Sequence, residues 1–241
     1  MLDYFSREKG KFTDEYKIHT VLRIAKVLHD KVDALGDAEE NAYISNQICK
    51  VIHKIDYGWD LQKMLKTYTE ARGMFSNLDQ ITETLLHATL MLAIRANKIV
   101  RAKHNKKTLA FVKACIAYAH ITIPSLHSDK NPENKITLFI HTAWVALMNG
   151  CISETDSIIH ALLLILNAQY KVAESYAQDE RLTTHLLNVI GLLVVVPSNP
   201  ETYFFTSAQA ILNLVGKKQW AKESLFLKTK VMCGLINYLC T

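Results

Sequence analysis

The sequence predicts an all-α fold, a right-handed α-solenoid of HEAT-like antiparallel helical hairpins, with roughly ten helices in one continuous segment over residues 1–241. Three observations carry that expectation. Only 8 Gly and 4 Pro punctuate the 241 residues, far fewer than the closely spaced turns of a β-sandwich or barrel demand. Apolar residues recur at intervals of three and four through long stretches, the period of a half-buried helix. The breaks between those stretches carry helix-stop and helix-start chemistry, giving a pair of helices roughly every 35 to 50 residues, near the ~40–47-residue period of such solenoids.

The first stretch places Ile18, Val21, Leu22, Ala25, Leu28, Val32 and Leu35 on one face, with Arg23, Lys26, Asp30 and Asp33 elsewhere, and Gly36 stops it. Asp37 and Glu40 have the spacing of a capping box for a second helix, which carries Ile44, Ile48, Val51, Ile52 and Ile55 to a break at Gly58. Asp60 opens a third helix, and the Ser76–Asp79 turn leads into a fourth that extends to about His104. Lys106–Ile121 forms a fifth, apolar around its circumference and therefore expected to be covered on most sides, with Pro124 ending it. Asn131-Pro132-Glu133 and Asn199-Pro200-Glu201 each read as an N-cap, a proline at the first helical position and an acid in the first turn. The helices they open close on Gly150 and Gly216. Between them lie a helix capped at Ser153 and another ending near Pro197, and a last one runs from about Lys218 to Tyr238.

At 49% hydrophobic and 21% charged residues, the chain can bury a large core, which argues against disorder. Five scattered cysteines, Cys49, Cys115, Cys151, Cys233 and Cys240, with no C-x-x-C pair, indicate neither a disulfide framework nor a zinc knuckle, so a reducing compartment is expected. Met1–Glu15 lacks the apolar core of a secretory signal. The strongest apolar run, Leu186–Val196, contains Asn188 and Gly191 and is shorter than the ~18 residues of a membrane span, so it reads as a buried helix.

Catalytic patterns do not emerge. None of the ten histidines lies in H-E-x-x-H, and no G-x-S-x-G, P-loop or G-x-G-x-x-G context occurs, so no enzyme, cofactor or metal site is expected. Cys49 and His53 share a helix face, but a structural zinc needs four ligands and no others are near in sequence, so packing is the expected role. His29 and Asp33 have the spacing of a helix-surface hydrogen bond. Trp59, Trp144 and Trp220, with Tyr57 and Phe75, are candidate interface anchors or core residues.

One charge feature emerges on counting. Of the net +5, the window Thr84–Ser128 supplies +7 from Arg95, Lys98, Arg101, Lys103, Lys106, Lys107 and Lys113 with no Asp or Glu, leaving −2 for the rest of the chain. The plain reading is cations complementing a helix C-terminus and otherwise solvated. The sharper one makes Arg95, Lys98, Arg101, Lys103, Lys106 and Lys107 a contact surface for an acidic protein, a phosphoinositide membrane or nucleic acid. The repeated polar codes and stacking aromatics of RNA-reading solenoids do not recur, which disfavours nucleic acid as a partner.

Lys106–Leu126, K-K-T-L-A-F-V-K-A-C-I-A-Y-A-H-I-T-I-P-S-L, resembles a signature block of the vacuolar protein sorting 35-like family, the large subunits of the retriever complex. His29–Glu40, Asp56–Asp60 (D-Y-G-W-D), Ala71–Leu78 (A-R-G-M-F-S-N-L), Leu138–Asp156 and Val196–Glu201 resemble further blocks of that family in the same order. The Lys106 block favours it over the related retromer large subunit. The resemblance spans nearly the whole chain and implies an α-solenoid scaffold for endosomal cargo recycling, cytoplasmic and peripheral on endosomes. It further implies that the C-terminal half cups a small metallophosphoesterase-like subunit, vacuolar protein sorting-associated protein 29. A vacuolar protein sorting 26-like subunit would be engaged through parts outside this chain, and copper-metabolism-domain proteins are further associates of the family. No individual contact residue is carried over by these blocks.

Overall fold

The computed structural model describes residues 2–7, 10–35, 38–127, 132–169, 176–195 and 204–240. Among them lie eleven α-helices and two 3-10 turns, and the sole β feature is one isolated parallel bridge between Phe12 and Ile55. The all-α expectation therefore holds. By packing, the chain divides into two compact units, Met1–Leu126 and His127–Thr241.

The first unit contains α1 (Leu2–Arg7), α2 (Glu15–Leu35), α3 (Ala38–Lys54), α4 (Leu61–Met74), α5 (Asp79–Val100) and α6 (Lys106–Thr122), with a 3-10 turn at Ile123–Ser125. α3 packs on α2 and α5, and α5 on α4 and α6, while Lys63 of α4 pairs with Glu15 of α2 at 2.7 Å and Arg72 of α4 lies 5.6 Å from the Tyr118 ring of α6. Such alternation sorts α3 and α5 into one layer and α2, α4 and α6 into the other, the arrangement of stacked helical hairpins. Of the stripe read from the sequence, Ile18, Val21, Leu22, Ala25 and Val32 of α2 are buried and Leu28 is half-buried, and α3, on which α2 packs, buries Ile48, Val51 and Ile52.

Several boundaries differ from the sequence expectation, each for a local reason. α5 ends at Val100 rather than near His104, because Arg101 (φ 50°) and Ala102 (φ 60°) turn left-handed and their N–H groups close back onto the carbonyls of Asn97 and Lys98. Asn105 then caps α6 in a reciprocal box with Thr108, its Oδ1 accepting the Thr108 N–H at 2.8 Å. α6 is covered along one stripe, Val112, Cys115, Ile116 and Ala119, and leaves Ile121 65% exposed, so it is less enclosed than its composition suggested. Although Lys106–Ser125 is long and apolar enough to cross a membrane, it packs lengthwise on α5. The N-terminal segment, unassigned in the sequence, contributes α1 and the buried Phe12, whose N–H donates to the Lys54 carbonyl at 2.7 Å.

The second unit contains α7 (Pro132–Met148), α8 (Ile152–Gln169), α9 (Tyr176–Val195), α10 (Phe204–Lys217), a 3-10 turn at Lys222–Ser224, and α11 (Leu225–Cys240). Contacts of α7 with α8 and α9, of α8 with α10, and of α9 with α11 repeat the two-layer order. Gly150, at φ +71°, closes α7 as expected, its N–H donating to Leu147. Cys151, not Ser153, precedes α8, and its carbonyl accepts from both the N–H and the hydroxyl of Thr155. Gly216 sits inside α10, which continues to Lys217. The last helix begins at Leu225 rather than Lys218, since Lys218–Ala221 is held in a non-helical connection described below. Leu186, Val189, Ile190 and Leu192 of α9 are buried, as the apolar run there predicted. The caps expected at Asp37, Asn131 and Asn199 lie outside the described residues.

Candidate protein-docking surface

The loop between α3 and α4 is organised by one carboxylate. Asp56 Oδ1 accepts the Gly58 N–H at 2.9 Å and Arg95 Nη1 at 3.1 Å, while Oδ2 accepts from Lys11 Nζ. Arg95 Nη2 also donates to the Gly58 carbonyl at 2.8 Å, so the α5 guanidinium clamps both the acid and the turn it supports. Gly58 is at φ +64°, a conformation that favours glycine. Partial burial disfavours the Asp56 anion, but the hydrogen bonds from Lys11, Arg95 and Gly58 outweigh it and hold the carboxyl below the usual carboxylate range. Asp60 closes the loop by capping α4, accepting the Lys63 N–H at 3.0 Å.

Beside this loop lies a cleft of about 480 Å³, within the ~300–1,000 Å³ range of ligand clefts. Its floor is apolar and buried: Ile52 of α3, Ile55, Met64 and Tyr68 of α4, and Leu92 of α5. Burial, with the nearby Asp56 charge adding to it, pushes the Tyr68 phenol up to about 12. The rim is different in kind. Lys11, His53, His87, Met91 and Lys98 surround the opening, with Met91 59% exposed.

Of the basic residues singled out in the sequence, Arg95 is half-buried and committed to Asp56 and Gly58. Lys98, Arg101, Lys103, Lys106 and Lys107 are exposed and have no carboxylate partner among the described residues. Lys98 lines the cleft, and the others follow in the α5–α6 turn and the first turn of α6.

Most of the remaining candidates take packing roles. Cys49 is buried, its sulfur 3.2 Å from the Thr84 hydroxyl, and burial pushes its thiol up; among the described residues no three His, Cys, Asp or Glu side chains are grouped to hold a metal. His29 is buried with Nδ1 at 3.2 Å from Asp30 rather than Asp33, and its ring meets Phe75 edge to face at 6.3 Å. Phe75 is core, Trp220 donates its indole N–H to the Val215 carbonyl at 3.0 Å, Trp144 is 37% exposed, and Trp59 stands 82% exposed on the clamped loop. Sequence reasoning missed an ion pair in the second unit. Lys218 Nζ lies 2.9 Å from Asp179 Oδ1 with both side chains almost fully buried, and Asp179 Oδ2 also accepts the Ala221 N–H at 3.2 Å. Asp179 and Lys218 stand 39 positions apart on different elements, so no local spacing links them.

Paired helices in two alternating layers define a helical-repeat protein, whose extended faces and clefts are the surfaces available for recognition. Within that class the chain belongs to the VPS35L C-terminal domain family, whose profile matches residues 1–241. It is similar to "VPS35 endosomal protein sorting factor-like" of Dictyostelium discoideum, 29% identical over 97% of this chain and 24% of the relative. The human "VPS35 endosomal protein-sorting factor-like" is 30% identical over 93% of this chain and 24% of the relative. A Drosophila melanogaster relative of the same description is 31% identical over 93% and 23%. The chain thus spans about a quarter of the length of these relatives. The family read from the ordered sequence blocks is the family found.

Proposed function

We propose that this chain is a non-catalytic scaffold segment of a retriever-like endosomal recycling assembly, cytoplasmic and peripheral on endosomes, and that it holds vacuolar protein sorting-associated protein 29. The observation that carries the reading is the family match over residues 1–241, with relatives described as endosomal sorting factors. The two-layer helical build supports it, because solenoids bind compact proteins across extended helix faces. The decisive experiment mixes the purified chain with purified vacuolar protein sorting-associated protein 29 and measures mass by light scattering after size exclusion. A one-to-one complex is expected. Separate elution of the two proteins at concentrations of about 50 μM, weaker than the micromolar range of specific transient complexes, refutes the partner assignment.

A second reading, adhesion to a phosphoinositide membrane, is favoured by the five exposed cations from Lys98 to Lys107 that face no carboxylate. Basic residues at an anionic surface contribute about 1 kcal/mol each. Sedimentation with phosphoinositide vesicles, lost on reversing Lys103, Lys106 and Lys107 to Glu, would establish it; no sedimentation above that of neutral vesicles would dismiss it.

A further inference from the structure

We infer that the cleft between α3, α4 and α5 is a docking site for an acidic peptide segment of a partner protein, one that inserts a large apolar side chain between flanking carboxylates. This goes beyond the scaffold reading and does not depend on it. Three observations fix the chemistry of the occupant. The apolar lining that water reaches is Ala88, Met91 and Ile94 of α5, above the buried floor of Ile52, Ile55, Met64 and Tyr68, so an apolar side chain entering there displaces water favourably. The charged groups of the lining are Lys11, Arg95, Lys98 and Asp56, and Asp56 is already engaged by Lys11 and Arg95, so the opening keeps a positive excess. That excess continues beyond the cleft, since no acid occurs from Thr84 to Ser128 and Arg101, Lys103, Lys106 and Lys107 stand exposed along the same path of the chain.

The geometry selects a peptide over a lipid surface. The buried floor lies below exposed cations, so a single side chain can be received between them, whereas a flat lipid surface would engage only the rim. Met91 in the wall, exposed and flexible, is the kind of side chain that adapts to a bound peptide. Met91 and Lys98 are two helical turns apart on α5, about 10 Å, the span of roughly three residues of extended chain. An apolar anchor against Met91 therefore brings an acid three positions away to Lys98. The loop side of the rim is preorganised: the Arg95 bonds to Asp56 and Gly58 tie α5 to the α3–α4 loop, which leaves the ordering cost to the peptide and Met91.

The test uses the intact chain and three fluorescein-labelled dodecapeptides followed by polarisation: one with a central Leu-Phe pair and Asp or Glu at the third position on either side, one with that pair replaced by Ser-Gly, and one with the acids replaced by Lys. The first should bind at least about tenfold more tightly than either control, and its affinity should fall as salt rises from about 50 to 300 mM, as a screened charge contact must. Met91→Glu and Lys98→Glu, both at exposed positions and each checked for an unchanged melting temperature, should weaken it by about fivefold or more. Equal binding of the lysine-flanked peptide, or unchanged affinity in both variants, overturns the inference. So does a chain that ignores all three peptides while sedimenting with vesicles carrying phosphoinositide, in which case the cations serve a membrane. Because the light-scattering assay with the folded subunit uses the same preparation, failure here leaves the scaffold reading intact, and failure there leaves this one.

Discussion

Replacing Lys218 with Met removes the cation from a pair in which the Asp179 side chain has no exposed surface and Lys218 retains 2%. The methionine fills most of the lysine's volume, so the loss is electrostatic rather than a cavity. What remains is a buried carboxylate with the Ala221 N–H as a hydrogen-bond donor, in a site where the Lys218 ammonium also lies 5.6 Å from the Trp220 ring. Breaking a buried pair from one side costs about 3–5 kcal/mol, and for a chain of this length each kcal/mol lowers the melting temperature by roughly 2–4 °C. The expected fall is therefore roughly 6–20 °C in a melt followed by circular dichroism. Removing both charges, as Lys218→Met with Asp179→Leu, should recover most of it, because two apolar groups leave nothing unpaired. A single-variant loss below about 1 kcal/mol, the range of surface pairs, would refute the idea that this connection is held by a desolvated charge pair.

Arg95→Ala should destabilise the first unit by about 1–2 kcal/mol, the value of charge-assisted hydrogen bonds discounted for partial exposure, whereas Lys98→Ala should stay within about 0.5 kcal/mol in the same denaturant titration. The Asp56 carboxyl lies below its unfolded value, so its stabilisation is present above about pH 4 and is lost as pH falls through the folded pKa; Asp56→Asn should flatten that acid limb of the stability profile. Alkylation with iodoacetamide, read by mass spectrometry of the native chain, should label the exposed Cys233 and Cys240 and spare Cys49, Cys115 and Cys151, with burial pushing the Cys115 thiol up to about 12. A Cβ at Gly234 would lie 3.1 Å from Leu187 Cδ2 and 3.6 Å from Ile190 Cδ1, so Gly234→Leu should cost about 1–3 kcal/mol by overpacking. Gly234→Ala should be near neutral, since the helix preference for alanine offsets a contact with a movable methyl.

The helices were legible wherever burial is one-sided, because a stripe such as Ile18, Val21, Leu22 and Ala25 records which face meets the neighbour. Features set by single residues were less so. Phe12 enters the core through backbone bonds to Lys54 and Asp56, and one aromatic residue among polar neighbours has no period to detect. Arg101 and Ala102 adopt positive φ without glycine, so the end of α5 had no compositional mark. At the surface, the acid-free window could be counted, but counting could not separate Arg95, turned inward to an acid 39 positions away, from Lys98, left on the rim. The cleft itself draws on α3, α4, α5 and Lys11, and only their packing brings its apolar floor under a basic edge.

Each helix of these units packs almost wholly on those one or two places away along the chain. Selection on such a chain acts pair by pair. A substitution in α2 has to satisfy α3, and one in α8 has to satisfy α7 and α10, but neither is answerable to a shared centre. At about 30% identity to its relatives this chain differs at most positions, and in a fold so local the helix that can compensate for a change is close at hand. The same locality leaves the outward faces outside the packing seams, so that a protein of this build can change what it holds without relearning how to fold.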